Sequence, residues 1–211
     1  MNPEDLLCAK LQELATLGRQ LIAIVGPPGA GKSTLSHSIC EKLNESSPEI
    51  AAILPMDGFH FDDSILRERG VLNRKGAPFT FDVGGMKSIL QRLKSNQEEE
   101  VAVPVFDRSI EVSRGSARII SKFTPIILVE GNYLLLEEEP WSSLGEFFDY
   151  TVMIDTPQQE LEDRLTERWL KHGLSTKDAT IRVRANDLPN VRIVIEHSRK
   201  ADFILTQTIT P

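Results

Sequence analysis

The sequence predicts a single parallel α/β sandwich. Five short apolar runs, at 20–25, 50–55, 125–130, 150–155 and 202–206, have the length and evenness of buried strands. Stretches of helical character alternate with them, as crossovers in a parallel sheet require. No linker, repeat or low-complexity tract interrupts the 211 residues, so one domain is expected over 1–211.

Each element has its own local reason. In NPEDLLCAKLQELATLG, Asn2 is a cap, Pro3 suits the first helical position, and Leu7, Leu11 and Leu14 form a stripe that ends at Gly18. QLIAIV is the first strand, and a helix follows from about Lys32 to Leu43. IAAILP is the second strand. Residues 57–80 are polar and broken by glycine, which predicts a loop with one short helix at SILRER, capped by Asp62 or Asp63. VGGMKSILQRLK reads as a helix weakened at its start by Gly84 and Gly85. VAVPVF (101–106) and SARIISK (116–122) predict a two-stranded insert. After the strand at 150–155, Thr156 is placed as cap, Pro157 at the first helical position and Gln159 at the capping-box site. A last helix is expected over about 187–198.

The totals limit the partners. With 24 Lys+Arg against 31 Asp+Glu the net charge is −7, which disfavours a nucleic acid or an acidic membrane surface. Two cysteines, Cys8 and Cys40, are too few for a disulfide framework, and no apolar run reaches the length of a membrane span. A cytoplasmic location is the expectation.

The strongest motif follows the first strand. Gly26, Pro27, Pro28, Gly29, Ala30, Gly31, Lys32 and Ser33 match G-x-x-x-x-G-K-[ST] at every position, between a strand and a helix. Glycines let backbone N–H groups converge on phosphate oxygens, and the helix N-terminus adds a favourable dipole. Lys32 is assigned to the β- and γ-phosphates and Ser33 to Mg²⁺, with the Thr34 hydroxyl within reach. A nucleoside triphosphate is the expected ligand. A GTPase would need N-K-x-D and an ABC ATPase an LSGGQ-like run, and both are absent.

ILPMDGFHFDD (53–63) is the second signal. In a parallel sheet, ligands gather beyond the carboxyl ends of the strands. Asp57, just past the second strand, is thus placed to accept a proton from an attacking hydroxyl or to order the metal's water shell. The competing reading is an ordinary Asp-Gly turn.

The stretch MDGFHFDDSILRERGVLNRKGAPFTFD, with PVFDR at 104–108 and ILVEGNYLL at 127–135, resembles the phosphoribulokinase, uridine kinase and bacterial pantothenate kinase group of P-loop kinases. Within that group the chain is similar to short proteins described as fructose-transport-system kinases. The resemblance runs from about residue 20 to 206. It implies a P-loop fold with strand order 2-3-1-4-5, ATP and Mg²⁺ as cofactors, and phosphorylation of a small-molecule hydroxyl. It makes Asp57 the catalytic carboxylate beside Lys32 and assigns Phe59 and His60 to the border of the acceptor pocket. Lys75 would approach the phosphates or the acceptor, Asp107 would bind the acceptor, and Glu130 would lie near Mg²⁺. Arg164 and Arg168 would belong to a lid over about 157–185, Arg168 acting on the transferred phosphate.

Where relatives carry a histidine, PVFDR offers Arg108, placed here with the acceptor-binding set. The aromatic and amide set expected for pantothenate is missing. A sugar such as fructose is the expected acceptor; a nucleoside, a pantothenate-like alcohol, or a regulatory protein that only binds ATP are the alternatives. A second copy of the chain stands as a candidate partner. His37 and His197 are expected to be solvated, and Trp141 and Trp169 to serve packing. Glu160, four residues before Arg164, offers that arginine an ordinary surface pair.

Overall fold

The computed structural model describes residues 2–206. In chain order these form α1 (Pro3–Ala15), β1 (Gln20–Val25), α2 (Lys32–Ser46), β2 (Ala51–Pro55), α3 (Asp63–Glu68) and α4 (Val83–Ser95). The hairpin β3 (Glu100–Asp107) and β4 (Val112–Ser121) follows, then β5 (Ile126–Gly131), β6 (Tyr150–Asp155), α5 (Gln158–Lys171), α6 (Thr176–Arg182), α7 (Leu188–His197) and β7 (Phe203–Thr206). A 3-10 turn occupies Met56–Phe59, and a π-helical turn, Val183–Asp187, joins α6 to α7.

The five apolar runs make one parallel sheet in the order β2-β5-β1-β6-β7, the 2-3-1-4-5 order of its strands. Alternate residues of β1 serve two cores. Leu21, Ala23 and Val25 pack with Met86 and Leu90 of α4 and with Tyr133 and Trp141. Ile22 and Ile24 pack with Leu7 and Leu11 of α1, Leu35 and Ile39 of α2, and Leu161 and Leu165 of α5. Burying each such Leu or Ile contributes about 1.5–3 kcal/mol, which fixes which face every helix covers.

Caps appear where short polar side chains precede helices. Asn2 Oδ1 accepts from the Asp5 N–H at 2.7 Å, Asp62 from Ser64 at 2.8 Å and Asp82 from Gly85 at 2.8 Å. Thr156 departs from its expected role: α5 starts at Gln158 after Pro157, with no side-chain cap, and the buried Thr156 hydroxyl has no partner among the described residues. Thr156 is buried instead, 5% exposed. The segment after α5 was read only as a lid. It holds α6, capped by Ser175, which accepts from Asp178 N–H at 3.2 Å. That helix buries only Ala179, so it lacks an apolar stripe to announce it.

The insert is an antiparallel hairpin longer than its apolar stretches suggest, because β4 keeps most of its side chains in solvent. Its register shifts between Val103 and Val105, at Pro104, which has no N–H for the ladder. The hairpin is sewn to the edge of β2 by Arg118 Nη1, which donates to the Ile53 carbonyl at 2.6 Å, and by Ser113 Oγ, which donates to the Gly58 carbonyl. Gly58 is therefore a close-approach position: a Cβ there would stand 2.5 Å from the Pro104 carbonyl oxygen. No helix among the described residues is long and apolar enough to cross a membrane.

Gly58→Ala should push the hairpin off the 56–59 turn and cost about 1–3 kcal/mol. For a chain of this size that lowers Tm by roughly 2–4 °C per kcal/mol in a melting experiment. An unchanged Tm would show that the contact is not tight.

Candidate active site

Three strand ends build the site. β1 runs into loop 26–31 and α2, β2 runs into the Met56–Phe59 turn, and β5, between them, ends at Glu130 and Gly131. Glu130 pairs in register with Ile24 on one side and Pro55 on the other. Residues distant in the chain thus become neighbours at the carboxyl edge of the sheet.

The loop has a phosphate-binding form. Gly29 and Gly31 adopt φ of 85° and 83°, backbone that favours glycine, and Gly31 caps α2 without a side chain, leaving the first helical N–H groups for a ligand. Gly26 is confined by Ala30 and the Ile154 carbonyl, which a Cβ would approach to 3.1 and 3.2 Å. Lys32 Nζ donates to the Pro27 carbonyl at 3.1 Å, and Ser33 Oγ donates to Glu130 Oε1 at 3.1 Å. Pro28 and Thr34 line the same cleft, which has a volume of 460 Å³.

Asp57, His60, Lys75, Arg108, Arg164 and Arg168 also face this cleft. Arg108 Nη2 donates to Asp57 Oδ2 at 2.5 Å. The His60 ring lies on Phe81 and Phe106, with centroids 4.0 and 4.9 Å away, and its Nδ1 donates to the Asp57 carbonyl at 2.9 Å. Lys75 Nζ sits 2.7 Å from Asp63 and over the Phe106 ring, so Asp63 serves that lysine while Asp62 caps α3. Arg164 pairs with Glu160 and donates to the Gly29 carbonyl at 3.2 Å, fastening α5 to the loop. Arg168 has no ion-pair partner among the described residues and stands near the Trp169 ring.

Two expected acceptor residues lie elsewhere. Phe59 is buried in the core, 7% exposed, because the 3-10 turn directs its ring beneath the sheet edge. Asp107 is held at the hairpin turn, accepting from the Ser109 N–H at 3.1 Å and pairing with Arg114 at 3.2 Å. Phe81 and Phe106 supply the aromatic wall instead. Trp169 packs against the core as expected, and it also lines the cleft and donates from Nε1 to Asp187 at 2.6 Å. Asn186, Asp187 and Asn190 line it as well. They were missed because they fall where one helix was expected to begin; three polar residues in the otherwise apolar run to Val191 were the available signal.

The electrostatics divide the two carboxylates. Burial pushes Glu130 up, and the neighbouring Asp57 charge adds to this. Burial also pushes Asp57 up, but His60, Arg108, Lys32 and Arg168 together hold it below its ordinary value. Asp57, lowered from an already acidic value, is therefore ionised at neutral pH. Burial keeps the His60 imidazole below its usual range and hence neutral. Burial lowers Lys32 to about 8 against the pull of Glu130 and Asp57.

No family model matches the chain. It is 36% identical over 204 residues to the Escherichia coli protein YggC, covering 96% of this chain and 84% of that one. It is 31% identical over 196 residues to a Schizosaccharomyces pombe protein proposed to be a uridine kinase, covering 90% and 83%. A crystal structure from Silicibacter sp. TM1040, proposed as a fructose transport system kinase, superposes with a TM-score of 0.85 at 38% identity, covering 94% of this chain and 98% of that one. The chain belongs to the family of P-loop kinases that contains uridine-kinase-like proteins and the ATP-dependent kinase YFH7.

A bound polyphosphate raises the Lys32 pKa, so the free cleft must take up a proton on binding once pH exceeds about 8. Triphosphate affinity is then complete below ~8 and falls as pH rises, by at most about tenfold per unit. Calorimetry in buffers of different ionisation enthalpy reads the proton uptake; affinity that stays flat from about pH 7 to about pH 10 would contradict the assignment.

Proposed function

We propose that this chain is an ATP-dependent kinase that transfers the γ-phosphoryl group to a hydroxyl of a small molecule, a sugar such as fructose. The observation that carries the reading is the ionised Asp57 facing one cleft with Lys32, the phosphate loop and Arg168. The fructose assignment draws support from what the Silicibacter structure is proposed to be.

The chemistry follows from positions. Backbone N–H groups at Gly29 to Lys32 and the Lys32 ammonium hold the phosphates, while Arg168 meets charge developing on the moving group. The acceptor hydroxyl enters beside His60 and Phe106. Asp57 takes its proton as the phosphoryl group arrives, the Arg108 guanidinium keeping that carboxylate charged and aimed. Alignment of the two substrates supplies much of the rate.

Ser33 and Glu130 fit Mg²⁺: a hydroxyl and a buried carboxyl stand 3.1 Å apart beside the phosphate loop, the one or two protein oxygens that this ion uses alongside phosphate oxygens and water. Those two residues would hold the ion, which neutralises phosphate charge when bound.

Asp57→Asn is nearly isosteric and cannot accept the proton. It should retain ATP affinity and lose acceptor-dependent ADP release by ~10²–10⁴-fold. A parallel loss of ATP·Mg²⁺ affinity would instead assign Asp57 to the metal, and retained transfer would remove it from the mechanism.

A further inference from the structure

One end of the cleft carries hydrogen-bonding capacity that the protein leaves unmet. Asn190, 2% exposed, lines the cleft, and its Oδ1 has no partner among the described residues. Asp187, 9% exposed, accepts from Trp169 through Oδ2, while its second oxygen takes no hydrogen bond among the described residues. Buried polar atoms in a folded chain are normally paired, so the unmet Asn190 oxygen, on a cleft that Asp187 also lines, marks a place for ligand atoms. The π-helical turn Val183–Asp187 that precedes Asn190 is the kind of local widening that recurs at functional sites.

This end belongs to the acceptor side. Asn186 Nδ2 donates to the Lys75 carbonyl at 3.1 Å and its Oδ1 accepts from Arg74 Nε at 2.9 Å, which fastens the π turn to the segment that carries Lys75. Arg168 lines the same cleft and feels the charges of both Asp57 and Asp187.

We propose that Asp187 and Asn190 determine acceptor specificity by binding the non-reacting hydroxyls of a neutral polyol. The inference rests on the kinase reading above. A carboxylate accepts hydrogen bonds only, so Asp187 selects hydroxyl donors and repels a ligand carboxylate; the Asn190 carboxamide meets a hydroxyl through either of its polar atoms. Sites built to pair a hydroxyl reject analogues that lack it far better than apolar pockets reject an extra methylene. A sugar or sugar alcohol therefore fits, and alcohols that carry a carboxylate, such as pantothenate or glycerate, do not.

The test is calorimetric binding of fructose, ribitol, D-glycerate and pantothenate to the wild type and to Asn190→Ala and Asp187→Asn, with Mg²⁺ and a non-hydrolysable ATP analogue present. The wild type should bind at least one of the two neutral polyols more tightly than either carboxylate. Each variant should weaken that polyol ~10-fold while leaving the affinity for the ATP analogue unchanged. Asp187→Asn keeps the size of the side chain and an acceptor for Trp169, so it answers even if Asn190→Ala fails to fold; it should also narrow the preference against the carboxylates. Preference of the wild type for a carboxylate, no binding of either polyol, or polyol affinity unmoved in Asp187→Asn would overturn the assignment, as would an equal loss of nucleotide affinity. Polyol binding without ADP release in the wild type would refute the kinase reading and leave this subsite standing.

Discussion

Glu130 and Asp57 share a partly dehydrated cleft, and the arrangement of the site follows from keeping both there. Two like charges in such a place cannot both ionise freely. The fold divides them: Asp57 takes the cations, with Arg108 in direct contact and Lys32 and Arg168 nearby, while the direct donor to Glu130 is the neutral Ser33 hydroxyl. The division depends on the sheet order, which sets β5 between β2 and β1 and so puts Glu130 between the Asp57 turn and the phosphate loop. Lys32, lowered to about 8 by burial, gains a proton on binding a polyphosphate only above that pH.

The side of the cleft proposed for the acceptor is assembled from pieces that do not belong to the sheet. The hairpin brings Arg108 to Asp57 and is tied to β2 by Arg118 and to the 56–59 turn by Ser113. Asn186 joins the far end of α6 to the Lys75 segment. Each tie is a side-chain bond to a carbonyl, so the walls of the cleft are set by the same contacts that close the fold. Helix α5 reaches over the phosphate loop, with Leu165 against Gly29 and Arg164 on the Gly29 carbonyl. Movement of that helix would alter the loop directly.

Much of this was legible in the sequence because strands and phosphate chemistry write local patterns. The five apolar runs, the glycine-rich loop and the carboxylates ending two strands can each be read within a few residues. The acceptor wall cannot, because it arises from contacts between segments distant in sequence. Phe59 and Phe81 are both aromatic, both adjoin polar residues and both belong to the core, yet of the two it is Phe81 that also lines the cleft, under His60. Asp107 and Arg108 are adjacent, yet the hairpin turn binds one to Ser109 and Arg114 and sends the other to Asp57. The Thr156 cap failed: just past the strand end the residue is buried, and its hydroxyl has no partner among the described residues. Asp187 ends a π turn, which local propensities do not predict, and Asn190 lies in the first turn of the helix that follows, where a helix was expected but no site.

The central claim is that this charge arrangement moves a phosphoryl group to an alcohol and not to water. The most direct measurement is the fate of label from γ-labelled ATP when the protein, Mg²⁺ and a panel of sugars and sugar alcohols are incubated together. The account predicts that label leaves ATP at a rate set by one of these alcohols and is recovered on its hydroxyl. Label recovered only as inorganic phosphate, at a rate that no alcohol changes, would contradict it.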